Sequence, residues 1–421
     1  MVFKIEGLGA CREVGRSAFV VDAGDKILLD YGAKIEPERT TYPLPVKTNL
    51  NAIVISHAHL DHSGYLPHLF LTGNTLCYMT QPTLAIAEVL WKDALKIADI
   101  ESKEIKYSKQ EIEHTKTFTF LALYRRHLNI TKHMSMEFYD AGHIIGSAMV
   151  KLMHKNKSLL YTGDFNPLPT RMLAGADTNL EADYVISEST YGTTNHPPRE
   201  QTEKEFVDAI NETLDKGGIA LVPAFAVSRS QELIEILYSY KVNADVYLDG
   251  MGQKIFDITL AHSEYLKDPR TLKKAMQNCV FVQNERQRAK LLKNPCVVVS
   301  SAGMLAGGPA LYYLKRMYND PKSSVYLTGY QVEKTPGRQL IEKGTIGIKG
   351  EEVRVTADVR KFDFSAHADK NSMLACYKKW NPEKILLVHG DPQTMDPFAE
   401  LIKQELGIET STLEAGKAIK L

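Results

Sequence analysis

Charge imbalance is the first thing this 421-residue sequence lacks. Lys and Arg total 51, Asp and Glu total 51, and the formal net charge is zero. No whole-molecule field gathers a polyanion, so any nucleic acid must be held by a local basic patch or by metal ions. Paired cysteines are lacking as well. Cys11, Cys77, Cys279, Cys296 and Cys376 are odd in number, scattered, and include no C-x-x-C. That excludes a disulfide framework and a cysteine zinc finger, and it suits a reducing cytoplasm. No uninterrupted apolar stretch reaches membrane-spanning length, and the N-terminus has no apolar signal core. The expected protein is soluble and cytoplasmic, with no membrane partner. Low-complexity tracts and repeats are absent too. What remains, 44% hydrophobic and 24% charged residues, is ordinary globular composition, in a chain long enough for two domains.

Histidine is where the sequence is rich. The chain has 13, and three of them fall in the stretch AIVISHAHLDHS at residues 52–63. Ala52-Ile53-Val54-Ile55 reads as a buried strand that delivers His57, His59, Asp61 and His62. Imidazole and carboxylate bind zinc where no thiolate is used. Residues two apart at a strand end point the same way, so His57 and His59 can approach one ion. The following turn can send Asp61 and His62 to a second. One ion cannot easily take all four groups from so short a segment, and two adjacent metals are the better reading. A surface loop that happens to be rich in histidine is the bland alternative.

Other residues stand out by context. His143 sits between Gly142 and Gly146 in a turn between strands, poorly explained by packing, and reads as a third ligand of the first metal. Asp164 ends the strand of YTGDF and either caps a turn or bridges two metals. Glu188 ends the apolar strand YVISE and points into an interior or a cleft, where an ion-pair partner is the bland alternative. Asp30 ends ILLD, where it either caps the strand or supports a site. From residue 195 onward strand and helix patterns alternate, which suggests a parallel sheet with helices on both faces. The basic runs at 270–274 and 285–293 read as solvated helix faces.

H-x-H-x-D-H after a strand resembles the metallo-β-lactamase superfamily. DAGHIIGS (residues 140–147) and YTGDF (161–165) are similar to its third and fourth motifs. SESTYG (187–192), Ser365-Ala366-His367 and His389-Gly390-Asp391 resemble the three extra motifs of the β-CASP subgroup, its nucleic-acid-processing branch. Glutamate at 188 is similar to the cleavage-and-polyadenylation endonuclease type, in a minimal archaeal or bacterial form without KH domains. The resemblance implies an α/β fold: a metallo-β-lactamase αββα sandwich over residues 1–194 and 363–421, with a β-CASP domain inserted at 195–362. It implies two Zn2+. His57, His59 and His143 would hold the first, Asp61, His62 and His389 the second, and Asp164 would bridge. Di-iron relatives carry a glutamate where this chain has Ala58 or Leu60, so zinc hydrolysis is expected rather than redox chemistry.

The implied activity is hydrolysis of single-stranded RNA, endonucleolytic, 5′→3′ exonucleolytic or both, in RNA processing or 3′-end formation. It would leave a 5′-phosphate and a 3′-hydroxyl. His367 would act as general acid, oriented by Glu188, and Asp30 would orient ligand histidines. Glycine-rich turns resembling β-CASP landmarks would bind RNA through Arg229, Ser301, Gly303, Gly329, Tyr330, Lys334 and Arg338. Ser228 and Lys334 depart from the glycines many relatives carry there. A second copy of the chain or a related RNA-processing subunit is a further expected partner. The rival readings are a DNA-repair-type nuclease of the same fold, a non-catalytic scaffold subunit, and a small-molecule hydrolase. The first would show in assays offering DNA beside RNA. The second conflicts with a complete ligand set, and the third with an insertion of this size.

Overall fold

A computed structural model describes residues 2–36, 39–348 and 350–421. The chain forms two compact units. The first comprises Met1–Pro169, Ala174–Asn195 and Ala366–Leu421; the second comprises Thr170–Leu173 and His196–Ser365. The first unit is therefore built from three separated stretches of sequence.

In the first unit two seven-stranded sheets face each other. One runs Ala418–Lys420, Lys4–Gly9, Ala18–Asp22, Lys26–Leu29, Ala52–Val54, Cys77–Met79, Thr119–Leu121. The other runs Glu409–Thr412, Lys384–Val388, Tyr184–Glu188, Lys157–Tyr161, Ala148–His154, Ser135–Asp140, Leu128–Asn129. Strand side chains alternate between faces, and the core follows that alternation. Ile5, Phe19, Val21, Ile27, Leu29 and Val54 of the first sheet pack with Phe138, Val150, Leu152, Leu159, Ile186 and Leu386 of the second. Residues of opposite parity on the second sheet, Met149, Leu160, Val185, Ile385 and Leu387, pack against Tyr377 and Trp380 of helix Lys370–Trp380 and Phe398 and Ile402 of helix Pro392–Leu406. Opposite-parity residues of the first sheet, Leu28 and Ile53, are buried, as are Ile86, Leu90 and Trp91 of helix Gln81–Glu101.

The second unit holds one six-stranded sheet, ordered Cys279–Phe281, Val246–Asp249, Cys296–Ser300, Ile219–Pro223, Ser324–Leu327, Asp358–Lys361, with every pairing parallel. Parallel strands buried on both faces read as continuous apolar runs, and IALVP and CVVVS do so. Ala220, Val222, Val297 and Val299 serve one core; Leu221, Val298, Val325 and Leu327 serve the other, with Tyr313 and Leu314 of helix Gly308–Met317. The basic runs read as helix faces are helices Pro269–Gln277 and Glu285–Leu291, with Arg270, Lys273, Lys274, Arg286 and Lys290 exposed. Among the described residues no helix is long and apolar enough to cross a membrane.

Candidate metal centre

The ligand-bearing turn hangs from strand Ala52–Val54, which pairs in parallel with Lys26–Leu29 on one side and Cys77–Met79 on the other. After it the backbone passes His57 and His59 and enters the one-turn helix Leu60–Ser63, which carries Asp61 and His62. The segment after Asp30 clamps this turn: Tyr31 N–H donates to His62 O at 2.8 Å and Ala33 N–H to Leu60 O at 2.7 Å. Gly32 must be glycine there, because a Cβ would sit 1.8 Å from Asp61 O.

Four more strand ends complete the centre, all within the first unit. Residues 141–147 turn between strands Ser135–Asp140 and Ala148–His154, with Gly142 at φ +65°, and present His143. Strand Lys157–Tyr161 leads to Asp164, strand Tyr184–Glu188 ends in Glu188, and strand Lys384–Val388 delivers His389 at φ +50°. His367 lies just before helix Lys370–Trp380.

The ligand atoms of His57, His59, His143 and Asp164 lie within 4.8 Å of one another, and so do those of Asp61, His62, Asp164 and His389. A third group joins Asp164, Glu188 and His367. His57, His62, His143, Asp164, Glu188 and His389 are all buried. His59 Nδ1 is 3.1 Å from His143 Nε2. His389 Nδ1 and His62 Nε2 each lie 3.2 Å from Asp164 Oδ1, and His389 Nε2 lies 3.3 Å from Asp61 Oδ2. Even so, His57 Nε2 and Asp164 Oδ1 are buried without a hydrogen-bond partner. Buried polar atoms are normally satisfied, and two lone-pair acceptors left without a donor at one centre fit a cation there.

Burial would lower His62, but Asp164 and Asp61 hold it well above the usual imidazole value, so this histidine must give up a proton to ligate a cation. His57, His143 and the two carboxylates need no such change. Burial, then the neighbouring His62, holds His57 well below the usual imidazole value; burial and His367 do the same to His143. Both stay neutral, as ligands must. Burial raises the carboxyls of Asp61 and Asp164, but His62 and His389 more than reverse this and keep both ionised. His367 Nδ1 lies 3.0 and 2.9 Å from the two oxygens of Glu188. Burial would lower His367; the carboxylates of Glu188 and Asp164 instead push it up to about 9. Glu188 is itself fixed by the Phe165 N–H at 2.9 Å. Asp30 contacts His62 Nδ1 at 2.7 Å.

The sequence resembles the model of the metallo-beta-lactamase superfamily domain over residues 20–191, the Beta-Casp domain over 230–340, and the Zn-dependent metallo-hydrolase RNA specificity domain over 352–413. It is 38% identical to RNase aCSPSF2 of Saccharolobus solfataricus, covering 100% of this chain and 86% of that protein. It is also 38% identical to Probable RNase MJ4 of Methanocaldococcus jannaschii, covering 98% and 99%. The chain belongs to the β-CASP family of the metallo-β-lactamase superfamily. The chain is also 33% identical to Transcription termination factor FttA of Pyrococcus abyssi, over 97% of this chain and 69% of that protein. A crystal structure of a protein of unknown function from Enterococcus faecalis V583 shares the fold, with a TM-score of 0.62, 12% identity and full coverage of both chains. Fold and donor set together are those of a metal-dependent hydrolase.

The β-CASP landmarks lie at the carboxyl ends of three adjacent central strands of the second unit, where open α/β sheets bind ligands. Tyr330 and Lys334 are exposed there. Gly329 abuts Phe225, where a Cβ would fall 2.7 Å from the ring, and Gly303 O accepts from Gln331 Nε2 at 3.2 Å. Ser301 Oγ accepts from Met251 N–H at 3.2 Å, and Arg338 Nε pairs with Glu342 at 2.5 Å. Arg229 is buried, ion-paired with Glu232, its guanidinium 5.9 Å from the Phe364 ring centroid.

Several residues around the metal centre escaped the sequence reading. Ser17 Oγ lies 3.3 Å from His62 Nε2, and Thr190 Oγ1 3.3 Å from His389 Nδ1. Ser147 Oγ accepts the His143 N–H at 3.2 Å, and Ser56 and Tyr161 both reach Asp30. The only signal was Tyr161 itself: a buried tyrosine needs a partner for its hydroxyl.

Proposed function

We propose that this protein is a ribonuclease that holds two Zn2+ and hydrolyses phosphodiester bonds of single-stranded RNA in RNA processing or 3′-end formation. The observation that carries the reading is Asp164, which belongs to both four-residue donor groups and to the group containing Glu188 and His367. His57, His59 and His143 would hold one ion, Asp61, His62 and His389 the other, with Asp164 between. Zinc ions there supply Lewis acidity, making water nucleophilic near neutral pH and neutralising charge on phosphoryl oxygens. The names of the two RNase relatives and the matched RNA specificity domain support RNA as substrate.

The protein's own groups do the rest. Glu188, an acceptor for Nδ1–H of His367, fixes that ring's orientation and keeps it protonated, so that Nε2 can give its proton to the departing 3′-oxygen. The products are then a 5′-phosphate and a 3′-hydroxyl. Exposed Tyr330 and Lys334 would contact RNA directly. Ser301, Gly303, Gly329 and Arg338 would shape the turns that present them, and buried Arg229 would hold its helix in place.

The test is cleavage of end-labelled single-stranded RNA by the purified protein, before and after chelation and zinc return, with product ends identified. The expected result is zinc-dependent cleavage leaving 5′-phosphate ends. Undiminished cleavage after complete chelation, or 2′,3′-cyclic phosphate ends, would overturn the proposal.

A further inference from the structure

Asp30 is a buried carboxylate at φ +56° that ends strand Lys26–Leu29. Four groups converge on it. Ser56 N–H donates to Oδ1 at 2.7 Å, and Ser56 Oγ, His62 Nδ1 and Tyr161 OH each lie 2.7 Å from Oδ2. Gly163, at φ +52°, allows the approach of the loop that follows Tyr161, since a Cβ there would meet Ser56 Cβ at 2.8 Å.

The direction of each hydrogen bond follows from the donor inventory. A carboxylate only accepts, so the single hydroxyl hydrogen of Ser56 goes to Asp30. The Ser56 oxygen then accepts from Nδ1–H of His57, 3.1 Å away. That leaves Nε2 of His57 without a proton, and Nε2 is the buried nitrogen with no hydrogen-bond partner. His62 repeats the arrangement one link shorter: Nδ1–H on Asp30, Nε2 toward Asp164. Burial keeps the Tyr161 phenol protonated, hence always a donor.

We propose that Ser56 and Tyr161 are positioning residues: with Asp30 they form one hydrogen-bonded anchor that sets the tautomer of a histidine in each ligand group, coupling the two metal positions. This rests on the reading that both groups hold metal. Occupying one group fixes the Asp30 carboxylate and Ser56 hydroxyl that orient the other. Removing an outer hydrogen-bond partner of a ligand commonly weakens metal affinity about 10–100-fold.

Ser56→Ala and Tyr161→Phe each remove one buried oxygen and preserve the shape of the side chain. The measurement is stepwise Zn2+ binding to the metal-free proteins against a chromophoric chelator, with thermal unfolding recorded with and without zinc. Ser56→Ala is expected to weaken both binding steps by at least about tenfold. Tyr161→Phe, which acts through Asp30 and so stands one link nearer His62 than His57, is expected to weaken one step more than the other. The zinc-induced rise in melting temperature shrinks in both variants, while the metal-free melting temperature changes little. Both affinities unchanged, with a lower metal-free melting temperature, would mean a merely structural role and overturn the inference. Weakening of a single step in Ser56→Ala would overturn the coupling. A wild type that binds no zinc sinks this inference and the proposed function together; a wild type that binds two, with unaltered variants, sinks this inference alone.

Discussion

Glu235 is a carboxyl with no place for its charge. It is 3% exposed on helix Arg229–Ser239, its Oε2 has no hydrogen-bond partner, and its neighbour Glu232 is already ionised by Arg199 and Arg229. Burial, then the charge of Glu232, pushes it from 4.5 up to about 7; Arg171 opposes this, and Asp268 and Glu203 add to it. The folded protein therefore holds this proton more tightly than the unfolded chain does. The associated stability is complete below the unfolded value and is lost as pH rises through about 7. Glu235→Gln removes the titration, so it should stabilise the protein by about 2–3 kcal/mol at pH 8 and by less than about 1 kcal/mol at pH 5. Melting temperatures at the two pH values check this; an equal shift at both would refute it. The same buried network engages Arg229, which the family resemblance assigns to RNA. An arginine before an apolar helix reads the same whether its guanidinium faces solvent or Glu232, and only the tertiary fold decides.

At the scale of the element, helix Arg229–Ser239 begins badly. Ser228 has φ +62° and ψ −46°, and Arg229 N–H donates to Val227 O at 2.7 Å, a γ-turn centred on a non-glycine residue. Its hydroxyl caps nothing and has no partner. Such strain costs on the order of 1–3 kcal/mol, whereas the extra unfolded-state freedom of glycine costs about 0.4–1 kcal/mol. Strain is the larger, so Ser228→Gly should stabilise by roughly 1 kcal/mol, measurable by denaturant unfolding; destabilisation would contradict the γ-turn account. Lys334 is also left-handed, at φ +63°, so both departures from a glycine pattern mark backbone turns that survive without glycine. Elements whose chemistry lies in the sequence were legible: the short apolar strands ending in His, Asp or Glu, and the alternation of the second unit. The hairpin Thr345–Ile348 with Glu351–Arg354 was not, because each strand is only four residues long and the pair offers three apolar side chains, Ile346, Ile348 and Val353. The crossing of Thr170–Leu173 into the second unit was not either, since Arg171 joins Glu203 only through the fold.

At the scale of the molecule, the seven proposed ligands meet in the first unit from two separated stretches of chain, Met1–Pro169 and Ala366–Leu421, and Glu188 joins them from the third. The proposed ligands stand out in the sequence because metal chemistry allows few residue types. Ser56 and Tyr161 do not, because a serine before a histidine and a tyrosine in a strand are ordinary until Asp30 lies between them. The proposed division of labour is that seven residues hold metal while His367, held by Glu188, moves a proton. The direct test pairs zinc analysis with RNA cleavage for wild type and His367→Ala. About two zincs in both proteins, and turnover reduced by roughly 10²–10⁴-fold in the variant, are expected. Loss of zinc from His367→Ala would make His367 a ligand, and cleavage at the wild-type rate would remove it from the chemistry; either result contradicts this division of roles.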